Sequence, residues 1–199
     1  LVGIGFGLML NNTSSVFFMK QQDFLLLGVD HLVNTFNIIR QENAKASFTI
    51  FPVIVDSGFE GPQSSLNNFN DFCSIARVDG YSFTNKVDTE QIISKLLIQP
   101  GFRIMGVSQR LLKQELLDLG IIYEDQHCRF FQYTKGVDVS IVCYNYSLPY
   151  GKKLKDVLSE KNLSSSLFSI NAYTKFDFSY ILNDLCVTKN LVLIDDSKS

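Results

Sequence analysis

Charge of one sign is what this chain has least of. Eighteen Lys and Arg stand against twenty Asp and Glu, for a formal net charge of -2, and they are scattered without a basic stripe. A nucleic-acid partner therefore has no electrostatic footprint here. Long apolar runs are missing too: none reaches the ~18 residues that cross a bilayer, so any membrane contact would come through a segment outside this chain. Histidine is limited to His31 and His127, too few for a three-ligand zinc site. The four cysteines, Cys73, Cys128, Cys143 and Cys186, lie far apart with no C-x-x-C pair. They read as reduced, mostly buried residues of a reducing compartment. One or two disulfides in a periplasmic or secreted protein is the alternative their even number leaves open. The chain begins on Leu1 with neither a Met nor a charged n-region, so it reads as an excised fragment, with a signal or anchor outside it left open.

What is present suits a sizeable core. The 199 residues are 46% hydrophobic and 13% aromatic, enough for one large domain or two small subdomains. The stretch from Leu1 to Val55 sets the pattern. Val2–Leu10, Val16–Met19 and Phe24–Leu27 are apolar runs separated by Asn11-Asn12-Thr13-Ser14 and by Lys20-Gln21-Gln22, and they read as three strands of a meander. After Asp30, a good N-cap, the residues Leu32, Val33, Phe36 and Ile39 recur at helical spacing. Asn43 and Lys45 mark that helix end, and Phe48–Val55 reads as a fourth strand, added parallel to the first.

Further on, Asp56 to Pro62 is a loop, Ser64-Ser65 an N-cap, and Leu66, Phe69, Phe72, Cys73 and Ala76 one face of a helix. Asp79-Gly80 is a turn before a short strand at Tyr81–Thr84. Asp88 caps the next helix with Gln91 three residues on, Ile92, Ile93, Leu96 and Leu97 form its stripe, and Pro100-Gly101 ends it. Phe102–Val107 reads as a strand, Ser108 as the cap of a helix through Leu119 with Leu112 and Leu116 facing a sheet, Gly120 as its stop, and Ile121–Tyr123 as a strand again. That unit suits a βαβ crossover. Arg129–Tyr133 and Val137–Tyr146, with Lys135-Gly136 between them, predict a β-hairpin. A turn at Pro149-Tyr150-Gly151, a helix over Lys152–Glu160, a flexible break at Ser164–Ser166, a strand over Leu167–Tyr173, a helix carrying Phe178, Ile181, Leu182 and Leu185, a strand at Leu191–Ile194 and a polar tail from Asp195 complete the chain.

Val2-Gly3-Ile4-Gly5-Phe6-Gly7 resembles the first phosphate motif of actin-like ATPases, with Gly5 where that motif carries its magnesium-binding aspartate. Val137-Asp138-Val139-Ser140-Ile141-Val142 resembles the strand after the second phosphate loop, whose aspartate and glycines are replaced by Phe131-Gln132-Tyr133-Thr134-Lys135. Phe102–Tyr123 resembles the strand–helix–strand of the PilM and GspL cytoplasmic domains of type IV pili and type II secretion. The resemblance implies an α/β fold of actin-like (ribonuclease H-like) type. It would be one domain over 1–199, with a mixed sheet, flanking helices, a sublobe at 62–100 and the option of two lobes. It implies a degenerate ATPase, a cytoplasmic scaffold at the inner-membrane face that docks an assembly ATPase and membrane-platform subunits through protein–protein interaction. On this reading the chain is not an enzyme and has no catalytic, cofactor-binding or metal residues.

Other constellations read as structural. Adjacent His127 and Cys128 on a strand face opposite ways, a poor dyad. Asp195-Asp196 and Glu124-Asp125 read as solvated ends, and Lys152, Lys153 and Lys155 as a solvated helix face. Phe17, Phe18, Phe130 and Phe131 read as core, with one ring of each pair free to reach a partner. The rival readings are an α/β enzyme with an unrecognised site, such as a small hydrolase using Cys128 or His127, and a disulfide-containing periplasmic binding module.

Overall fold

The computed structural model describes residues 1–40, 42, 44–58, 61, 65–174 and 176–197. The expected roles of Asn43, Phe59, Glu60, Pro62 and Ser64, the boundary at 62, and the tail at Lys198-Ser199 lie outside the described residues. The fold is mixed α/β, with two sheets and flanking helices.

The first sheet comes from the amino-terminal half. Helix α1 (Val2–Leu10) leads to β1 (Ser15–Met19), then a 3-10 turn (Gln22–Gly28), and then a π turn (His31–Thr35) that runs into α2 (Phe36–Ile39). After these come β2 (Ser47–Ile54), α3 (Phe69–Ala76), β3 (Asp79–Ser82), α4 (Lys86–Leu96) and β4 (Gly101–Ser108). The strands pair in the order β1-β2-β4-β3, all parallel. Strand β2, buried along nearly its whole length, shows the continuous apolar run of a strand covered on both faces.

The expected meander is corrected: of the three opening runs only Val16–Met19 is a strand. In α1 the buried residues are Val2, Gly5, Phe6 and Met9, a helical stripe in which a glycine holds one apolar place. Gly5 is there for packing, since a Cβ on it would collide with the Phe48 ring. Phe6 lies beneath, with ring centroids 5.2 Å from Phe48, 4.9 Å from Phe102 and 5.7 Å from Phe36. The fourth run does pair in parallel, with β1 rather than with Leu1–Leu10. Helix α4 begins two to three residues earlier than its expected cap: Asn85 is the N-cap, and Asp88 sits at the reciprocal capping-box position.

After β4 the expected helix over 108–119 does not form. Ser108 Oγ accepts from the Leu111 amide at 2.9 Å, but only a 3-10 turn (Leu111–Lys113) follows. Asn85 competes for the chain beyond it. Its side chain donates to Leu119 O at 3.0 Å and accepts from Leu119 N at 2.8 Å, and Lys86 N donates to Leu117 O. These bonds tie 117–119 to the start of α4 in place of the i→i+4 ladder. The strand–helix–strand unit is therefore absent, and the chain passes to the second sheet.

That sheet comprises β5 (Tyr123–Glu124), β6 (Phe130–Thr134), β7 (Val139–Tyr144), β8 (Ser165–Ile170) and β9 (Leu191–Asp195), with α5 (Leu148–Glu160) before β8 and α6 (Ser179–Thr188) before β9. The order is β5-β6-β8-β7-β9; β7, β8 and β9 are parallel, and β6 runs antiparallel to β5 and β8. The expected β6–β7 hairpin is corrected: β8 lies between them. Gly136 allows this, because any side chain there would strike the backbone at Ser164-Ser165, and its amide donates to Ser166 Oγ at 3.0 Å. Ser165 and Ser166, expected in a flexible break, are buried strand residues.

Three apolar clusters hold the layers together. One joins α1, α3 and the first sheet. A second, with Phe51, Tyr81 and Met105 from the first sheet and Phe131, Tyr133 and Ile141 from the second, welds the two sheets. A third packs Ile181 of α6 on Phe130, Val142 and Phe168. All four cysteines are free, with Cys186 alone exposed. No helix among the described residues is long and apolar enough to cross a membrane.

Candidate functional site

Parallel strands end together, so β2, β4, β7 and β9 deliver their carboxyl-terminal residues to one region, the usual place for ligand sites in open α/β sheets. Asp56, just past β2, has a fully buried side chain; its Oδ1 accepts from the Arg110 amide at 3.0 Å and its Oδ2 from Ser108 Oγ at 2.5 Å. Asp196, just past β9, accepts from Asn145 Nδ2 at 2.9 Å and from the Tyr146 amide at 3.0 Å. Arg110 ties the two acids together, with Nη2 at 2.7 Å from Asp196 and 3.3 Å from Asp56. The same guanidinium donates to Tyr146 O at 2.9 Å and to the Tyr150 phenol at 2.6 Å, and lies over that ring at 5.0 Å. Burial opposes its charge, but the hydrogen bond it donates to Asp196 and the nearby Asp56 carboxylate outweigh it and raise its pKa.

Beside this network opens a hollow of about 320 Å³ lined by Arg110, Gln114, Pro149, Tyr150, Lys152 and Lys153 among others. It faces the first turn of the thirteen-residue α5, whose positive dipole end points that way, although Pro149 has no N–H and the Tyr150 and Gly151 amides already donate to Ser147 O. Lys152 pairs with Asp156 at 2.5 Å, whereas Lys153 has no carboxylate within ion-pair distance among the described residues. Arginine and lysine side chains around one cavity at a helix start can hold a phosphate or carboxylate.

A larger hollow, about 800 Å³, lies at the open edge of the first sheet, where Ile4, Phe18, Met19, Phe24, Leu27 and His31 contribute to its wall. Phe18 is 79% exposed and Leu27 88%, so this edge is an unusually apolar surface. His31 Nδ1 lies 3.1 Å from Thr35 Oγ1. The glycine run flanks this hollow as part of a helix, not as a phosphate loop.

A third polar group is sealed between the sheets. The Asp88 carboxylate accepts from the Tyr133 phenol at 2.5 Å, the Asn85 amide at 3.0 Å, and Thr84 and Asn171 at 3.4 Å. Burial pushes its pKa up to about 6, against the pull of those donors.

The residues weighed from the sequence end in several places. His127 is exposed, while Cys128 is buried with φ 54°, and burial pushes its thiol up to about 11, so no thiolate is poised there. Asp125 caps the turn ahead of β6, and Glu124 pairs with Lys95. Asp196 is not a solvated end but half of the clamp on Arg110. Phe131 is fully buried and Phe18 exposed, so one ring of the first pair does reach outward. Leu112 is exposed and Leu116 packs on the first cluster. No group of three potential metal ligands occurs among the described residues. Sequence reading missed Asp56, Arg110 and Asn145; their one shared signal is position, a polar residue within three places of the end of an apolar run.

No family model and no curated protein matches the chain. Solved structures do. A split-gene transketolase, described as an inactive β4 tetramer, matches with a TM-score of 0.65 and 11% identity over 97% of this chain and 61% of that one. A mutant transketolase of Pichia stipitis matches with a TM-score of 0.68 and 12% identity over 98% of this chain and 29% of that one. The transketolase of Campylobacter jejuni matches with a TM-score of 0.50 and 13% identity over 74% and 24%. The chain thus spans less than two thirds of each. At such identity the likeness is one of fold, and it replaces the actin-like, PilM- and GspL-like assignment. The pilus and secretion scaffold, and the non-enzyme reading built on it, are corrected with it. The assembly-ATPase and platform partners and the inner-membrane location lose their support.

Proposed function

We propose that this chain supplies part of a transketolase-type enzyme that acts on phosphorylated sugars. The observation that carries this reading is the two-sheet fold, which follows transketolase chains over 97–98% of its length while spanning only part of theirs. The Pichia stipitis enzyme has been solved with xylulose 5-phosphate and with sedoheptulose 7-phosphate. The hollow beside Arg110 suits the phosphate of such a sugar: Lys153 offers an uncommitted ammonium, and Lys152, paired with Asp156, a second. Arg110 already holds two carboxylates and serves to fix the wall.

Transketolases are thiamine-diphosphate enzymes. Among the described residues no three metal-ligating side chains converge, so no metal-diphosphate seat is built from this chain's side chains alone. A chain that completes the enzyme would hold that group.

Calorimetric titration of the protein with xylulose 5-phosphate, beside inorganic phosphate, tests the reading. Binding of the sugar phosphate is expected, with at least a tenfold loss in a Lys152→Ala, Lys153→Ala double variant. Absence of binding, or equal binding by the double variant, would overturn the phosphate seat. Sugar transfer by the protein combined with a completing chain would carry the enzymatic reading on its own.

A further inference from the structure

We propose that the outer edge of the second sheet binds a small oxyanion carried on a flat ring, a molecule of benzoate or phenyl phosphate size. The site is a hollow of about 310 Å³ in whose wall Arg129 meets Tyr123, Phe130, Phe176 and Tyr180. Arg129 carries the anion half. It has no ion pair and no side-chain hydrogen bond among the described residues, and its Nε is buried without an acceptor. A guanidinium left in this state is a donor fork without its planar acceptor, the group that carboxylates and phosphates match in geometry and charge.

The rings carry the other half. Tyr123 and Tyr180 stack at 3.8 Å with an interplanar angle of 11°, Phe130 lies 5.6 Å from Tyr123, and Phe176 lies 5.3 Å from Phe130. The Tyr180 phenol donates to Gln132 Oε1 at 2.9 Å, which fixes the platform from the strand beneath. Tyr123 stays 37% exposed, so ring face remains available for stacking at the mouth. Two carboxylates also line the hollow, and both are committed. Asp125 accepts from the backbone amides of His127 and Phe130 at 3.3 Å and also from the backbone amide of Arg129, and Asp177 accepts from the Ser179 amide at 2.9 Å and hydroxyl at 2.7 Å. Neither forms an ion pair with the Arg129 guanidinium; Asp125 meets Arg129 only through its backbone amide. The volume is at the small end of ligand sites, which favours one ring with one charged group over a dinucleotide or an oligosaccharide.

The test is a ligand titration of the whole chain followed by aromatic-proton NMR, with benzoate and phenyl phosphate in separate arms and acetate, inorganic phosphate and choline as comparisons. Saturable binding of at least one ring anion is expected, at least tenfold tighter than acetate or inorganic phosphate. The arm that binds tells a carboxylate ligand from a phosphorylated one. Arg129→Leu should lose at least tenfold in affinity at an unchanged melting temperature, since the side chain has no bond to give up. Arg129→Lys should recover part of the loss, and Phe176→Ala should weaken ring anions selectively. No binding in either arm, equal binding by Arg129→Leu, or preferential binding of choline would overturn the proposal.

Discussion

The phenol of Tyr146, carried by the second sheet, lies directly on Gly106 of the first, where any side chain at 106 would strike its hydroxyl. That hydroxyl is buried and has no hydrogen-bond partner among the described residues. Tyr146→Phe should therefore be neutral or stabilising by about 1 kcal/mol, because it removes an unsatisfied polar group. Gly106→Ala should cost about 1–3 kcal/mol by overpacking, and less in the Tyr146→Phe background. Denaturant unfolding of the two single variants and the double variant measures the coupling; strictly additive effects would contradict the contact.

Asp88 should make stability depend on pH. Its folded pKa, about 6, lies above its ordinary value of 3.8, so the folded state holds the proton more tightly. The contribution is complete below about pH 4 and is lost as pH rises through about 6, in total about 3 kcal/mol. Urea unfolding at pH 4 to 8 should show that loss in the parent and a flatter difference profile in Asp88→Asn. Parallel profiles in the two proteins would show that the carboxylate is not the group responsible.

Two glycines of α1 should respond in opposite ways. Gly7 has open space where a Cβ would stand, so Gly7→Ala should gain about 0.5–1 kcal/mol of helix propensity. Gly5→Ala has the same propensity gain but drives a methyl into the Phe48 ring, and should lose about 1–3 kcal/mol net. Melting temperatures that move in the same direction for both variants would place α1 incorrectly on the sheet.

After β4, neighbouring leucines separate what the sequence suggested from what the fold does. Leu112 is 62% exposed and Leu111 only 4%. Leu112→Asp should change stability by less than about 0.5 kcal/mol, whereas Leu111→Asp should cost several kcal/mol through an unpaired buried charge. Arg110→Met belongs with the second case. It leaves the buried Asp56 and the largely buried Asp196 without their cation, a loss of about 3–5 kcal/mol. Chemical denaturation of the three variants is sufficient to rank them.

Local signals were legible where a single element decides the outcome. The stripe Phe69, Phe72, Cys73, Ala76, the stop at Pro100-Gly101 and the apolar run of β4 all appear close to where their spacing puts them. The opening helix was not legible, because three glycines at alternate positions imitate a strand motif, and only Phe48 across the interface explains why Gly5 is small. The turn chemistry between β6 and β7 was read as a hairpin because nothing local announces that β8, some thirty residues further on, will take the place between them. The Arg110 network was hidden for the same reason. Asp56, Arg110, Asn145 and Asp196 become neighbours only through strand order, and each alone resembles a solvated loop residue.

The placement of β8 also sets a schedule for the growing chain. Strands β6 and β7 are complete by Tyr144, yet their shared partner ends at Ile170. At roughly 5–20 residues per second, translation leaves two apolar, unpaired strand edges waiting for about one to five seconds. During that interval the pairing nearest in sequence, β6 on β7, is a wrong one, and any such hairpin has to open before β8 can enter. The nascent protein thus passes through a window in which the second sheet is most open to mispairing and to capture by other exposed edges.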